Sequence, residues 1–160
     1  MRIAVPMAVV MLALLPACGP YPGSQPTPTP APLVPLPTVP PMGDDVLAIY
    51  NRSGCFAGID DTLTVHQQGA LELVDRQGAL KQARVAPEAL QAVRQLLSSP
   101  AYAALSPLYQ SSGADLCVYH ISARDAGGRP RMVTTMDGAQ YPDVLAQTIG
   151  EFEKLRGQVR

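Results

Sequence analysis

Few side chains of this 160-residue chain could carry acid–base or metal chemistry, and they are far apart in the sequence. The two histidines, His66 and His120, each lack a second metal ligand at helical or hairpin spacing. Because a zinc site normally needs three or four ligands, no metal site is predicted. Both histidines are more simply explained as residues at the surface or at the edge of a strand.

Two acidic pairs, Asp44-Asp45 and Asp60-Asp61, are the remaining candidates for chemistry. Paired carboxylates serve acid–base catalysis or bind calcium, but at the start of a predicted strand they more simply blunt the strand end and solvate a turn. The sequence has no Gly-x-Ser-x-Gly elbow and no glycine-rich phosphate loop that leads into a helix. We therefore predict no catalytic residues, no enzymatic activity, no cofactor and no small-molecule substrate.

The charge balance excludes a further class of protein. Lys and Arg number 12, Asp and Glu number 13, and the sequence pI is near 6.1. Nucleic-acid binding requires a basic patch, which this sequence does not show, so no nucleic-acid partner is predicted. Trp is absent and aromatic residues make up 5% of the chain, which predicts an aliphatic core.

A different chemistry is predicted for Cys18, which follows an export signal. Residues 1–17 read MRIAVPMAVVMLALLPA, a single positive charge and then an apolar run shorter than the roughly 20 residues that span a bilayer. This pattern is typical of a secretory signal peptide. Residues 15–18, LPAC, resemble the lipobox of bacterial lipoproteins, with Pro16 where that motif usually has a small or aliphatic residue. In those proteins the cysteine is acylated and becomes the mature N-terminus.

The resemblance to the lipobox implies a protein that is anchored by lipid to a membrane of the bacterial cell envelope, with its domain outside the cytoplasm. Each buried methylene contributes about 0.8 kcal/mol, so the several acyl chains of a lipoprotein give stable anchoring. Ordinary cleavage after Ala17, which would give a soluble secreted protein, is the alternative. Gly19, next to the cysteine, is not the Asp that serves as a retention signal in diderm bacteria.

If Cys18 is acylated, two cysteines remain, Cys55 and Cys117. An even pair of cysteines in an exported domain is typical of a disulfide. The loop that this bond would close has about 60 residues, for which chain entropy gives about 4 kcal/mol. Two buried free thiols are the alternative, because the distance between the two Cα atoms does not follow from the sequence.

Residues 18–43 are predicted to form a disordered, Pro-rich stalk. Prolines recur at nearly every second position from Pro26 to Pro32 and again from Pro35 to Pro41, which prevents both helix and sheet. In the polyproline II conformation, such a stretch reaches at most roughly 75 Å. A ligand for a proline-binding domain is the alternative.

The remaining residues, 44–160, are predicted to form one domain. Alternating apolar residues between short turns predict an antiparallel meander and, later, a second pair of strands. The predicted strands are residues 45–51, 62–66, 71–73, 80–85, 116–122 and 131–136.

Two helices are predicted from proline starts and apolar stripes at helical spacing. Pro87 opens the first and Pro142 opens the second, and residues 101–105 are predicted to add one short helical turn. The two stripes are Leu90, Val93, Leu96 and Leu97, and Leu145, Ile149, Phe152 and Leu155. The order of strands, helix, strands and helix predicts an α+β fold, in which an antiparallel sheet of five to six strands carries two helices on one face.

The segment between the first two predicted strands differs from the rest of this scaffold. Its seven residues are Ser53, Gly54, Cys55, Phe56, Ala57, Gly58 and Ile59, and its two glycines bracket one of only two phenylalanines in the chain. Gly permits positive φ and close approach to a partner, and binding residues concentrate on such loops. The segment is therefore a candidate binding loop, and a hairpin connection whose Phe56 folds into the core is the alternative.

Residues 52–59 also resemble the Ser-Gly-Gly-Phe-Ala-Gly-like opening of the emfourin family, small bacterial proteins that inhibit protealysin, a thermolysin-like zinc metalloprotease. Residues 113–115 ahead of a strand, and residues 133–137 ahead of the final helix, match the pattern of that family as well. The similarity covers residues 46–157. Cys55 stands where Gly is expected, and Cys117 stands where an aromatic residue is common.

This resemblance implies an inhibitor that blocks the active-site cleft of a protein partner, a secreted thermolysin-like metalloprotease. The loop of residues 53–59 would enter the cleft, and Phe56 would occupy a hydrophobic primed subsite, since such enzymes favour bulky apolar side chains there. The alternative function is that of a cell-envelope lipoprotein that binds another envelope component and has no protease target.

Overall fold

The computed structural model describes residues 38–125 and 127–159, so Cys18, the signal peptide and most of the predicted stalk lie outside the described residues. The described part contains six strands and three helices. The strands are β1 (Val46–Gly54), β2 (Ile59–His66), β3 (Ala70–Val74), β4 (Leu80–Arg84), β5 (Cys117–Arg124) and β6 (Pro130–Met136). The helices are α1 (Pro87–Leu97), α2 (Pro100–Ala103) and α3 (Asp143–Gln158).

The six strands form one antiparallel sheet in the order β4-β3-β2-β1-β5-β6. The predicted α+β class and the predicted order of strands, helix, strands and helix are therefore confirmed. The short helix α2 lies where the sequence predicts one helical turn. β1 lies near the middle of the sheet, which explains why its sequence is apolar on both faces.

One face of the sheet carries the core. The side chains of Tyr50 and Leu63 point to this face from paired positions of β1 and β2, and both are fully buried. The predicted stripe of α3 supplies Leu145, Phe152 and Leu155 to the same cluster, while α1 supplies Val93 and Leu97. Because α1 and α3 both pack on this face, the opposite face is left open to solvent or to other segments of the chain.

The two edges of the sheet differ. The outer edge of β6 is covered, because the backbone N–H of Tyr109 donates to the oxygen of Thr134 and the N–H of Thr134 donates to the oxygen of Pro107, both at 2.9 Å. At the other edge, β4 pairs with β3 alone among the described strands. An unpaired edge presents a row of free backbone donors and acceptors.

Residues 38–43, the end of the predicted stalk, lie against the domain. The guanidinium of Arg124 donates to the carbonyl oxygens of Met42 at 3.1 Å and Gly43 at 3.3 Å. Thr38 and Pro40 line a cavity on the open face of the sheet. Composition predicts a stalk here because prolines cannot donate backbone hydrogen bonds. The carbonyl oxygens of Met42 and Gly43 nevertheless accept hydrogen bonds from the domain.

Candidate functional site

The candidate loop is a tighter structure than the sequence predicts. Ser53, Gly54 and Ile59 belong to strands, because Ser53 pairs with Asp60 and Gly54 pairs with Ile59. The prediction that all seven residues form a loop is therefore wrong for these three. Gly is depleted in strands, but pairing with β2 on one side and β5 on the other extends β1 to Gly54.

The turn itself consists of residues 55–58, and it is closed by a hydrogen bond from the N–H of Gly58 to the oxygen of Cys55 at 2.9 Å. The φ angles of Gly54, Cys55 and Gly58 are 82°, 57° and 60°. A Cβ atom on Gly54 would lie 2.7 Å from the oxygen of Leu116. Both the positive φ and this contact require glycine, which explains the first of the two glycines in the motif.

A disulfide between Cys55 and Cys117 joins the turn to the first residue of β5, with the two Cα atoms 4.3 Å apart. Of the two alternatives for these cysteines, the structure has the bond. The N–H of Cys55 also donates to the oxygen of Leu116 at 3.2 Å. The left-handed backbone of Cys55, which is costly for any residue with a Cβ atom, is therefore held by one covalent bond and one hydrogen bond.

Asp137 fixes the β5 side of this disulfide. Its carboxylate accepts from the N–H of Cys117 at 3.1 Å and from the hydroxyl of Tyr119 at 2.9 Å. Its own N–H donates to the oxygen of Cys117 at 3.0 Å. Burial and the hydrogen bond to Asp137 raise the pKa of Tyr119 to about 12, so this hydroxyl remains a donor at physiological pH.

Arg76 holds the opposite side of the turn. Its Nη1 donates to the oxygen of Gly58 at 3.0 Å, and a Cβ atom on Gly58 would lie 2.6 Å from that nitrogen. The second glycine of the motif therefore makes room for the arginine. Arg76 belongs to the connection between β3 and β4, whereas the disulfide links the turn to β5. The turn is therefore held from both sides of the β1–β2 hairpin.

Below the turn, an ionic network ties the hairpin to α3. Arg52 lies 3.1 Å from Asp61 on the paired strand and 3.6 Å from Glu153 of α3. Arg156 lies 3.5 Å from Asp61 and 2.7 Å from Glu153, which also accepts from the hydroxyl of Tyr50 at 2.6 Å. The base of the hairpin is therefore fixed to the helix that covers the core.

The pKa values of Glu153 and Tyr50, two members of this network, are shifted in opposite directions. Burial alone would raise the pKa of Glu153, but the hydrogen bonds from Tyr50 and Arg156 and the charges of Arg156 and Arg52 lower it below its usual value. Burial, followed by the hydrogen bond to Glu153, raises the pKa of Tyr50. At neutral pH the pair is therefore a carboxylate with a neutral phenol that donates to it.

These supports leave Phe56 in solvent. Its side chain is 93% exposed, and the neighbouring Ala57 is exposed as well. The alternative in which Phe56 folds into the core is therefore wrong. A phenyl group on a backbone that is fixed on both sides loses little conformational freedom on binding, so it is suited to enter an apolar pocket of a partner.

The other sequence candidates lie away from this turn or have structural partners. Asp61 forms ion pairs with Arg52 and Arg156, so the prediction that the acidic pair blunts a strand end and solvates a turn is wrong for Asp61. His66 lies 2.9 Å from Asp45 and 3.5 Å from Glu72. These contacts hold the start of β1 to β2 and β3.

His120 is not a surface or edge residue, contrary to the prediction. It is half-buried in β5, where its Nδ1 lies 2.9 Å from the hydroxyl of Thr134 and where burial lowers its pKa. It lines the cavity on the open face of the sheet together with Thr38 and Pro40. The strand pattern could not show this cavity, because Thr38 and Pro40 precede the predicted domain in sequence.

Four charged residues that support the turn were not found from the sequence: Arg76, Asp137, Glu153 and Arg156. Nothing in the sequence around them marks them as neighbours of the turn, and only the topology brings them to one end of the sheet. Within residues 38–125 and 127–159, no three His, Cys, Asp or Glu side chains lie close enough to hold a metal ion. None of the helices in that part of the chain combines the length and apolar character needed to cross a bilayer.

Comparison of the chain with family models, curated proteins and solved structures found no match. The function is therefore inferred from the geometry of the turn and from the residues that resemble the emfourin motif.

Proposed function

We propose that this protein is a lipid-anchored inhibitor of thermolysin-like metalloproteases that acts outside the cytoplasm, and that Phe56 enters the protease. The observation that carries the proposal is a 93% exposed phenylalanine on a turn that a disulfide fixes to the neighbouring strand. The resemblance of residues 52–59 to the emfourin motif supports the choice of partner. The sequence around Cys18 supports the lipid anchor.

The energetics favour binding over a structural role for Phe56. Full burial of a phenylalanine side chain contributes roughly 1.5–3 kcal/mol of apolar transfer free energy. In the free protein almost none of this free energy is gained, because the ring contacts solvent. Binding to a partner with an apolar pocket would gain this free energy. The fixed backbone of the turn would also reduce the conformational entropy lost on docking.

A titration tests the proposal. The full chain, purified in detergent, is added to thermolysin and to protealysin while peptide hydrolysis is followed. We expect inhibition by the wild type, and Phe56→Ala should weaken it by at least about 2 kcal/mol, as at other binding hot spots. Phe56→Leu, which keeps an apolar side chain of similar reach, should retain most of the inhibition and serves as the matched control.

Two outcomes would contradict the proposal in different ways. Equal inhibition by folded Phe56→Ala and by the wild type would show that another surface binds the protease. A flat activity curve at micromolar inhibitor against both proteases would instead favour the second candidate, an envelope lipoprotein with no protease target. Calorimetry with envelope fractions would then follow.

The anchor has its own test. Mass spectrometry of the mature N-terminus should find an acylated Cys18 as the first residue. A free, unmodified cysteine at that end would show that the export signal is cleaved without lipidation.

A further inference from the structure

The exposed apolar side chains of the domain are concentrated at one end of the sheet. Among the described residues, three large apolar side chains are exposed: Phe56 at 93%, Leu80 at 57% and Val74 at 39%. Val74 ends β3 and Leu80 begins β4, and the two are paired in register on the open face. This is the same end at which β1 turns into β2.

A direct contact joins the two hairpins at this end. Arg76, in the connection between β3 and β4, donates to the oxygen of Gly58 in the turn that carries Phe56. Neighbouring strands are about 4.8 Å apart, so β4 lies roughly 14 Å from β1. One protein interface of ordinary size, about 800 Å² on each side, covers that distance.

The outer edge of β4 offers backbone groups to a partner. The N–H of Asp75 donates to the oxygen of Ala79, and the N–H of Val85 donates to the oxygen of Gly69, so the odd-numbered residues of β4 face β3. In an antiparallel ladder the residues between them point their N–H and C=O groups the other way. Those residues are Leu80, Gln82 and Arg84.

The charges near this edge indicate what kind of strand it accepts. Arg76, Lys81 and Arg84 have no carboxylate within ion-pair distance in the described part of the chain. Antiparallel pairing of β4 with a second copy of itself would gather the lysine and arginine of both copies, and such like charges are destabilising. A segment with carboxylates on a different protein is therefore favoured.

We propose that the outer edge of β4, together with Val74 and Leu80, is a second docking surface that pairs with an extended, acidic segment of the same protein that receives Phe56. This proposal rests on the proposed function for the identity of that protein. The edge supplies backbone hydrogen bonds, the two apolar side chains supply contact area on the open face, and the three cations select the partner segment.

Substitutions at Gln82 test the edge. Gln82→Pro removes an outward N–H without removing a bond to β3, a position where an edge strand tolerates proline. Gln82→Ala keeps the N–H and removes only the side-chain hydrogen bond to Glu72. With the full chain and thermolysin or protealysin, the proline variant should raise the inhibition constant about tenfold or more, while the alanine variant stays near wild type. Circular dichroism confirms that both variants are folded.

Amide hydrogen exchange, measured by NMR, distinguishes docking from a structural effect. The amides of Leu80, Gln82 and Arg84 should exchange quickly in the free chain and slowly in the complex, while Lys81 and Ala83 are protected in both. Slow exchange in the free chain would show that another segment already covers the edge, which would overturn the proposal.

The outcomes separate this inference from the proposed function. If the wild type inhibits and Gln82→Pro inhibits equally well, the edge is not part of the interface and the Phe56 proposal stands. If the wild type inhibits neither protease, the proposed function fails, and the docking edge fails with it. If Gln82→Pro weakens inhibition and Gln82→Ala does not, the edge is a docking surface.

Discussion

The two phenylalanines of the chain occupy opposite environments. Phe152, on α3, is fully buried and stacks on Tyr50 with ring centroids 5.2 Å apart. Phe56, on the turn between β1 and β2, is 93% exposed. The first side chain is part of the core, whereas the second contributes almost nothing to it.

This contrast distinguishes the residues that stabilise the fold from the residues that are exposed for binding to a partner. A turn that served only to connect two strands would need neither a large apolar side chain nor a covalent link to a third strand. Here the turn has both, and Arg76 and Asp137 support it from either side. The supports are directed at the backbone that carries Phe56, which is the arrangement expected of a binding element.

The largest effects should come from truncating each ring in turn. Phe152→Ala removes a fully buried ring and should lower the free energy of unfolding by about 3–5 kcal/mol. Phe56→Ala should change it by less than about 0.5 kcal/mol, because the ring contacts solvent. Urea denaturation of the two variants measures both values. A loss at Phe56 as large as that at Phe152 would remove the contrast.

Loss of the disulfide should have the next largest effect, and it should change both the stability of the domain and its binding to a partner. Replacement of both Cys55 and Cys117 by serine releases a link between residues 62 positions apart. The free energy of unfolding should fall by about 2–4 kcal/mol, and inhibition should weaken because the turn is no longer fixed. If the reduced or substituted protein inhibits as strongly as the wild type while folded, the fixed turn is not needed for binding.

A smaller effect is expected at Gly54, where the backbone of the turn can be changed while the Phe56 side chain is kept. Gly54→Ala places a Cβ atom 2.7 Å from the oxygen of Leu116 at a φ of 82°, so it should cost about 1–3 kcal/mol of stability. Gly150→Ala is the matched control, because its Cβ atom has no neighbour within 4 Å and lies in a helix. That control should raise stability by about 0.5–1 kcal/mol. Equal behaviour of the two variants would show that the turn is not strained.

The smallest effect concerns the network under the turn. The pKa of Glu153 is lowered in the folded protein, so its contribution to stability is fully present above the usual pKa of 4.5 and is lost as the pH falls through the lower folded value. Thermal unfolding of the wild type and of Glu153→Gln is compared between pH 7 and pH 3. The difference between them should shrink on acidification, and a constant difference would show that the carboxylate charge is not involved.

The fold followed from the sequence to the extent that local patterns determine it. Phe152 was assigned to the core because it lies on an apolar stripe at helical spacing, and strands such as β2 followed from strict alternation. The exposure of Phe56 did not follow, because glycines on both sides of a residue remove any periodic signal. The supports of the turn did not follow either, since Arg76, Asp137 and Glu153 are distant in sequence and meet only through the sheet order.

The contacts at the end of the predicted stalk could not be predicted from the local sequence either. Its composition predicts an extended chain, and nothing local indicates that Arg124 binds the carbonyl oxygens of Met42 and Gly43. Contacts of this kind depend on a partner more than 80 residues away. The composition of a segment shows which secondary structure it cannot form, but it does not show which distant residues will contact it.

The most direct test of the central claim is the crystal structure of the full chain bound to a thermolysin-like metalloprotease. We predict that the Phe56 ring is buried in an apolar pocket of the active-site cleft, with the backbone of residues 55–58 unchanged from its free conformation. A complex in which Phe56 remains in solvent and the cleft is empty would contradict the claim.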